Sequence, residues 1–124
     1  MTKPEKLAIG FIEDIWNNGR IETLHLYLHP EFTDHSLPAG AQNSHGFRSY
    51  LTVLGQNVSH FTEIENVISE QDFIIMKIKV TLKASQNQPG AQQEREVMRG
   101  YRILAISDQQ IIGHWEFFET DFNI

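Results

Sequence analysis

The sequence predicts an α+β fold: three N-terminal helices packed on a curved, mainly antiparallel sheet. Three observations carry this. Apolar residues follow helical spacing as far as about Asn57. From Phe61 the period changes to alternation. Four strand-like runs then follow one another across turn signals, an order that builds an antiparallel sheet with helices on one face.

Pro4 suits the first turn of a helix. Leu7, Ala8, Phe11, Ile12, Ile15 and Trp16 then form one broad apolar stripe, and Asn17-Asn18-Gly19 stops it. A short second helix follows, with Ile21, Leu24, Leu26 and Leu28 as its apolar residues. Pro30 prevents its continuation. Glu31 to His35 reads as a short extended piece and Leu37-Pro38-Ala39-Gly40 as a loop. A third helix is expected from about Gly46 to Asn57, burying Phe47, Tyr50, Leu51 and Leu54.

Phe61 to Ser69 is the first strand of the run, closed by a Glu70-Gln71-Asp72 turn. Phe73 to Lys83 alternates most clearly. Ile74, Met76, Ile78, Val80 and Leu82 share one face; Lys77, Lys79, Thr81 and Lys83 share the other. The lysine row reads as a solvated or edge-protecting face. Ser85 to Gln93 is a long hairpin loop, Glu94 to Ile106 the next strand, and Asp108-Gln109-Gln110 a turn into the last. Helices closing over such a sheet make a cone with an apolar pocket inside, the usual place for a small ligand.

A length of 124 residues fits one domain spanning 1–124. The absence of cysteine excludes thiol catalysis, disulfides and thiolate metal sites. A formal charge of −6 argues against a nucleic-acid partner. No leader-like apolar region follows the N-terminus and no run is long enough to span a bilayer, so no membrane partner and a cytoplasmic location are expected. His25 and His29 have a zinc-compatible spacing. They lack the glutamate of a His-Glu-x-x-His motif and Pro30 follows at once, so no metal site is expected. Phosphate loops and nucleophile elbows are absent.

The chemistry gathers on the last strand. His114 and Glu116 stand two residues apart and so share a face. Trp115, Phe117 and Phe118 surround the carboxylate, and apolar surroundings favour its neutral, proton-donating form. Such a pair suits general acid–base work on a small apolar substrate. The plain alternative is an exposed strand carboxylate paired with Arg102 across the hairpin. Asp34-His35 is either a pocket dyad or a turn in which aspartate bonds its own backbone. Trp115 should face away from the pocket with Ile111 and Phe117, forming an outer apolar patch of the kind that marks interfaces.

Phe11 to Gly19, Phe32-Thr33-Asp34-His35, His45-Gly46-Phe47-Arg48, Ile64-Glu65-Asn66-Val67-Ile68 and the run Ile106 to Glu116 together resemble the SnoaL-like polyketide cyclases. That family lies within the nuclear-transport-factor-two-like superfamily, which also holds ketosteroid isomerase. The resemblance implies a cone-shaped α+β barrel, often a homodimer through the outer sheet face, that closes rings by aldol chemistry without metal or organic cofactor. It implies an acidic residue on the last strand, where Glu116 stands instead of aspartate. The histidine expected on the preceding strand is replaced by Arg102, which cannot be a base but can stabilise an enolate. Gln109 replaces the family's turn glycine. Glu116 is then the acid or base, with Arg102, His35 and His114 as candidate donors. Trp16, Phe32, Leu37, Tyr50, Leu54, Met76 and Phe118 are the expected pocket lining for a small hydrophobic carbonyl substrate. A rival expectation is a non-catalytic module of the same fold that binds a small ligand or a partner.

Overall fold

A computed structural model describes residues 1–84 and 95–119, so the hairpin loop expected over Ser85–Gln93 lies outside the described residues. Helix α1 (Lys3–Gly10) opens on a reciprocal cap. Thr2 Oγ1 accepts from the Glu5 N–H at 3.2 Å, and Glu5 Oε1 accepts from the Thr2 N–H at 3.0 Å. The chain then widens into a π-helical segment, Phe11–Asn17. The Asn18 N–H reaches back five residues to the Glu13 carbonyl at 3.0 Å. Phe11, Ile12, Ile15 and Trp16 are all buried there. Gly19, at φ +64°, ends the element as its sequence predicts.

The second helix is shorter than expected. A 3₁₀ segment covers Ile21–Leu26 and buries only Leu24, leaving Leu26 exposed. Leu28 does not belong to it; it opens strand β1 (Leu28–Asp34). Pro30 pushes the residue before it into extended geometry. The proline is tolerated inside β1 because that strand is an edge.

Helix α2 (Ser44–Asn57) starts two residues before the expected Gly46, with the Asn43 side chain accepting from the Gly46 N–H at 2.8 Å. It buries Phe47 and Leu51. Tyr50, expected in the core, is 36% exposed instead.

Strands β2 (Val58–Glu70), β3 (Phe73–Ala84), β4 (Arg95–Ser107) and β5 (Gln110–Phe118) follow, and the sheet order is β1-β5-β4-β3-β2. All pairs are antiparallel except β1 with β5, which is parallel. Ile74, Met76, Ile78 and Val80 are buried, as alternation in β3 requires. Lys79 on the other face lies 3.5 Å from Glu63. Among the described residues no helix is long and apolar enough to cross a membrane.

Besides an irregular stretch of β1–β5 pairing between Leu28 and Thr33, two bulges interrupt the antiparallel ladders. One extra residue sits in β2 between Ile64 and Asn66; another sits in β5, where Ile111 pairs Ile106 and Gly113 pairs Ala105. The second overturns one expectation. Alternation puts Ile111 outward with Trp115 and Phe117, but the bulge at Ile112 shifts the alternation and Ile111 is fully buried. The β4–β5 turn holds Asp108 at φ +52° and Gln109 at φ +64°, so Gln109 occupies the left-handed geometry a glycine would adopt more freely.

Candidate active site

Strand register brings the polar residues together. Glu116 pairs with Arg102 across β4–β5, and His114 pairs with Asp34 across β1–β5. Residues 114 and 116 share a face, so Arg102, Glu116, His114 and Asp34 all converge on the interior side.

Arg102 is the centre of this group. Its side chain is 2% exposed and Nη1 lies 2.6 Å from Glu116 Oε2, whose side chain is 19% exposed. The same Nη1 lies 3.3 Å from His114 Nε2. A guanidinium has donors only, so His114 Nε2 accepts and the ring hydrogen sits on Nδ1. Nδ1 lies 3.0 Å from Asp34 Oδ2, a close contact off the axis of the ring N–H. The result is an inward-facing row: Asp34, His114, Arg102, Glu116.

Aromatic rings hold this row. The Arg102 guanidinium carbon lies 3.6 Å from the centroid of the Trp16 ring. The His114 ring sits 5.9 to 6.4 Å from Phe47, Trp16 and Phe11. Burial pulls the Arg102 guanidinium below its ordinary pKa, and Glu116, Tyr50 and Asp34 oppose that fall. Burial also lowers His60, assisted by the Arg102 charge; the His60 ring packs edge-on against Trp16 at 6.2 Å. Tyr50 is raised by burial first and then by Glu116 and Asp34, with Arg102 opposing. Its phenol therefore belongs electrostatically to this cluster, at the exposed rim. Arg102 Nε and Trp16 Nε1 are buried without a hydrogen-bond acceptor among the described residues.

Of the two readings of Asp34-His35 the turn is the one the structure shows, and Asp34 faces His114 rather than pairing with His35. Oδ1 accepts from the Ser36 N–H at 2.9 Å, the backbone turn, while Oδ2 faces His114. The turn carries Ser36 to β5, where its Oγ accepts from the Glu116 N–H at 2.8 Å. The His35 N–H donates to the His114 carbonyl at 2.9 Å. The loop after β1 thus grips β5 at both functional residues.

His35 does not join the cluster. Asp34 points inward, so the next side chain points outward, and the His35 ring stacks on Trp115 at 4.3 Å and 4° on the opposite face. Trp115 closes over Gly113, where a Cβ would meet its ring at 3.0 Å. Of the expected lining, Trp16, Phe32 and Met76 are core residues with at most 4% exposure. Leu37, Leu54 and Phe118 are partly buried against that core. The sequence reading missed Ser36 and His60. His60 lies at the start of the alternating segment and its inward parity could have flagged it, whereas the Ser36 contact spans 80 residues and leaves no local signal.

This fold and polar centre define a small α+β domain with a buried polar cluster, and sequence comparison makes the family specific. A profile of the SnoaL-like polyketide cyclase family matches residues 6–120, and the chain belongs to that family. No curated protein matches the sequence. Among solved structures, a candidate polyketide cyclase from Acidithiobacillus ferrooxidans superposes with a TM-score of 0.81 at 18% identity, covering 95% of this chain and 89% of that one. IdmH, a candidate polyketide cyclase from Streptomyces antibioticus, gives 0.82 at 16% identity over 97% and 94%. An epoxide hydrolase of the LEH-like type from M. tuberculosis gives 0.76 at 10% identity over 96% and 84%. These likenesses establish a nuclear-transport-factor-two-like, cone-shaped α+β fold.

Proposed function

We propose that this protein is an acid–base enzyme for a small hydrophobic carbonyl compound, performing aldol ring closure or enolisation with its own side chains. One observation supports this above the others: a carboxylate on the last strand is paired in register with a buried arginine. Glu116 would remove a proton α to a carbonyl. Arg102 would take the developing enolate oxygen, in surroundings dry enough to make its charge count. The enolate carbon then attacks a second carbonyl of the same molecule, and the proton held by Glu116 passes to the new alkoxide. His114 and Asp34 act as positioning residues, with His114 meeting the same Arg102 nitrogen that pairs with Glu116 and Asp34 standing behind the imidazole. Tyr50 and Leu54 would meet substrate at the rim.

One feature favours a second reading, a ligand-binding module without catalysis. Arg102 Nη1 is already engaged by Glu116 and His114, so substrate must displace part of that pairing before reaction.

The experiment is α-proton exchange in D₂O, followed by NMR on a panel of aryl ketones and β-diketones. Exchange above buffer is expected with the wild type. Glu116→Gln should lower it by at least about a hundredfold, the scale of general acid–base catalysis, with the circular dichroism spectrum retained. Binding without exchange across the panel would leave the second reading.

A further inference from the structure

We propose that a cleft at the opposite end of β5 from Glu116 binds small amphipathic anions: a carboxylate or phosphate head on a short apolar body. The cleft encloses about 530 Å³, within the range of small-molecule sites. Leu24 and Leu28 form its apolar floor, and His25, His29, His45 and Arg48 stand around it. Gln110 closes one side, six residues before Glu116, or about 20 Å along a strand. The two sites are therefore separate.

The charge pattern indicates the ligand. Arg20, Arg99 and Arg102 each face a carboxylate: Asp14, Glu65 and Glu116. Arg48 is paired with none among the described residues; its one hydrogen bond there is a long one, from Nη2 to the Ile21 carbonyl at 3.4 Å. In a chain of net charge −6, an arginine left unpaired beside three imidazoles is a local basic site. A planar guanidinium presents paired N–H donors that match a carboxylate or phosphate. The ring of His29 has a defined role. Nδ1 accepts from the Glu31 N–H at 3.0 Å, so Nε2 carries the ring hydrogen. That Nε2 lies 3.7 Å from Asp108, whose side chain is 87% exposed. Asp108 is thus a competing anion at the rim, and His25, His45 and Arg48 are the principal donors. The apolar floor selects against fully hydrated ions, because only a ligand with an apolar body gains by covering Leu24 and Leu28.

Phenyl phosphate, benzoate and benzyl alcohol, titrated into the full chain by ¹H–¹³C NMR, test this. The two anions are expected to give saturable shifts of the Leu24 and Leu28 methyls and of the His25 and His45 ring C–H groups. Arg48→Gln, an exposed position that spares the fold, should weaken that binding about tenfold, the loss of one charge-assisted pair. The stronger of the two anions tells whether a carboxylate or a phosphate head is preferred. Equal binding of benzyl alcohol, unchanged affinity in Arg48→Gln, or no saturable shift at these residues would each overturn the proposal. The Glu116→Gln variant should bind the anions as the wild type does, so the result is independent of the proposed chemistry.

Discussion

Arg102 and Glu116 meet across the β4–β5 hairpin with Nη1 2.6 Å from Oε2, the arginine at 2% exposure and the glutamate at 19%. A buried pair of this kind is costly to break from one side, because the remaining charge is left without compensation. Glu116→Leu should therefore destabilise by about 3–5 kcal/mol, and Arg102→Met by about 3 kcal/mol, since Glu116 keeps some water. The double variant should recover at least half of the summed loss. Urea unfolding of the four proteins checks this. Strictly additive losses would mean that the two side chains act independently.

Ser36 ties the loop after β1 to the backbone beneath the carboxylate, at 2.8 Å from the Glu116 N–H. Ser36→Ala should cost about 1 kcal/mol, the worth of one such bond. Amide exchange at Glu116 should quicken more than exchange at its strand neighbours. Unchanged protection of that amide would show that the loop does not hold the strand.

His60 carries a pH dependence whose sign is fixed by its environment. Burial and the Arg102 charge hold its folded pKa below the usual 6.5. Below pH 6.5 the unfolded chain takes up this proton before the folded protein does. Stability therefore holds above that pH and declines as pH falls toward the folded value. Denaturation midpoints measured down through this window should fall less in His60→Asn than in the wild type. Parallel curves would remove His60 as a source of acid sensitivity.

The outer face of the sheet presents Phe73, Ile75, Ile103, Trp115 and Phe117 around an apolar groove of about 410 Å³. A second copy of the chain is the expected cover, since a two-fold interface places the same patch against itself. Sedimentation should give a dimer mass for the wild type and a monomer mass for Phe117→Glu. A monomer at micromolar concentration in the wild type would end this expectation.

The first and third helices and the four antiparallel strands were legible from local periodicity, whereas the Arg102–Glu116 pairing was legible only through the family resemblance. Phe73 to Lys83 needed only alternation, whereas the Asp108–Gln110 turn alone would set Tyr101 opposite Glu116, and the bulge at Ile112 moves Arg102 there instead. Three features were hidden. Leu28 read as helical because its apolar neighbours fit that period, while Pro30 acted on the chain just before it. The bulge at Ile112 reversed the expected facing of Ile111, and single-residue insertions in a ladder carry no composition signal. The contacts of Asp34 and Ser36 with β5 depend on the parallel β1–β5 pairing, which joins segments about 80 residues apart. His35 lies outside the cluster for a simpler reason: neighbours on an extended chain look opposite ways, so Asp34 and His35 cannot both face the interior.

The bulge at Ile112 also separates two stretches of β5 that would otherwise be locked in step. Gln110–Ile111 closes the floor of the core, while Gly113–Phe118 carries the polar row. With Ile112 removed, Ile111 would still meet Ile106 and Gly113 would still meet Ala105, so His114 and Glu116 would keep their inward aim. What would alter is the bend between the two stretches. The strand thus has a joint at which chain length and curvature can drift over generations of variants without exchanging inside for outside.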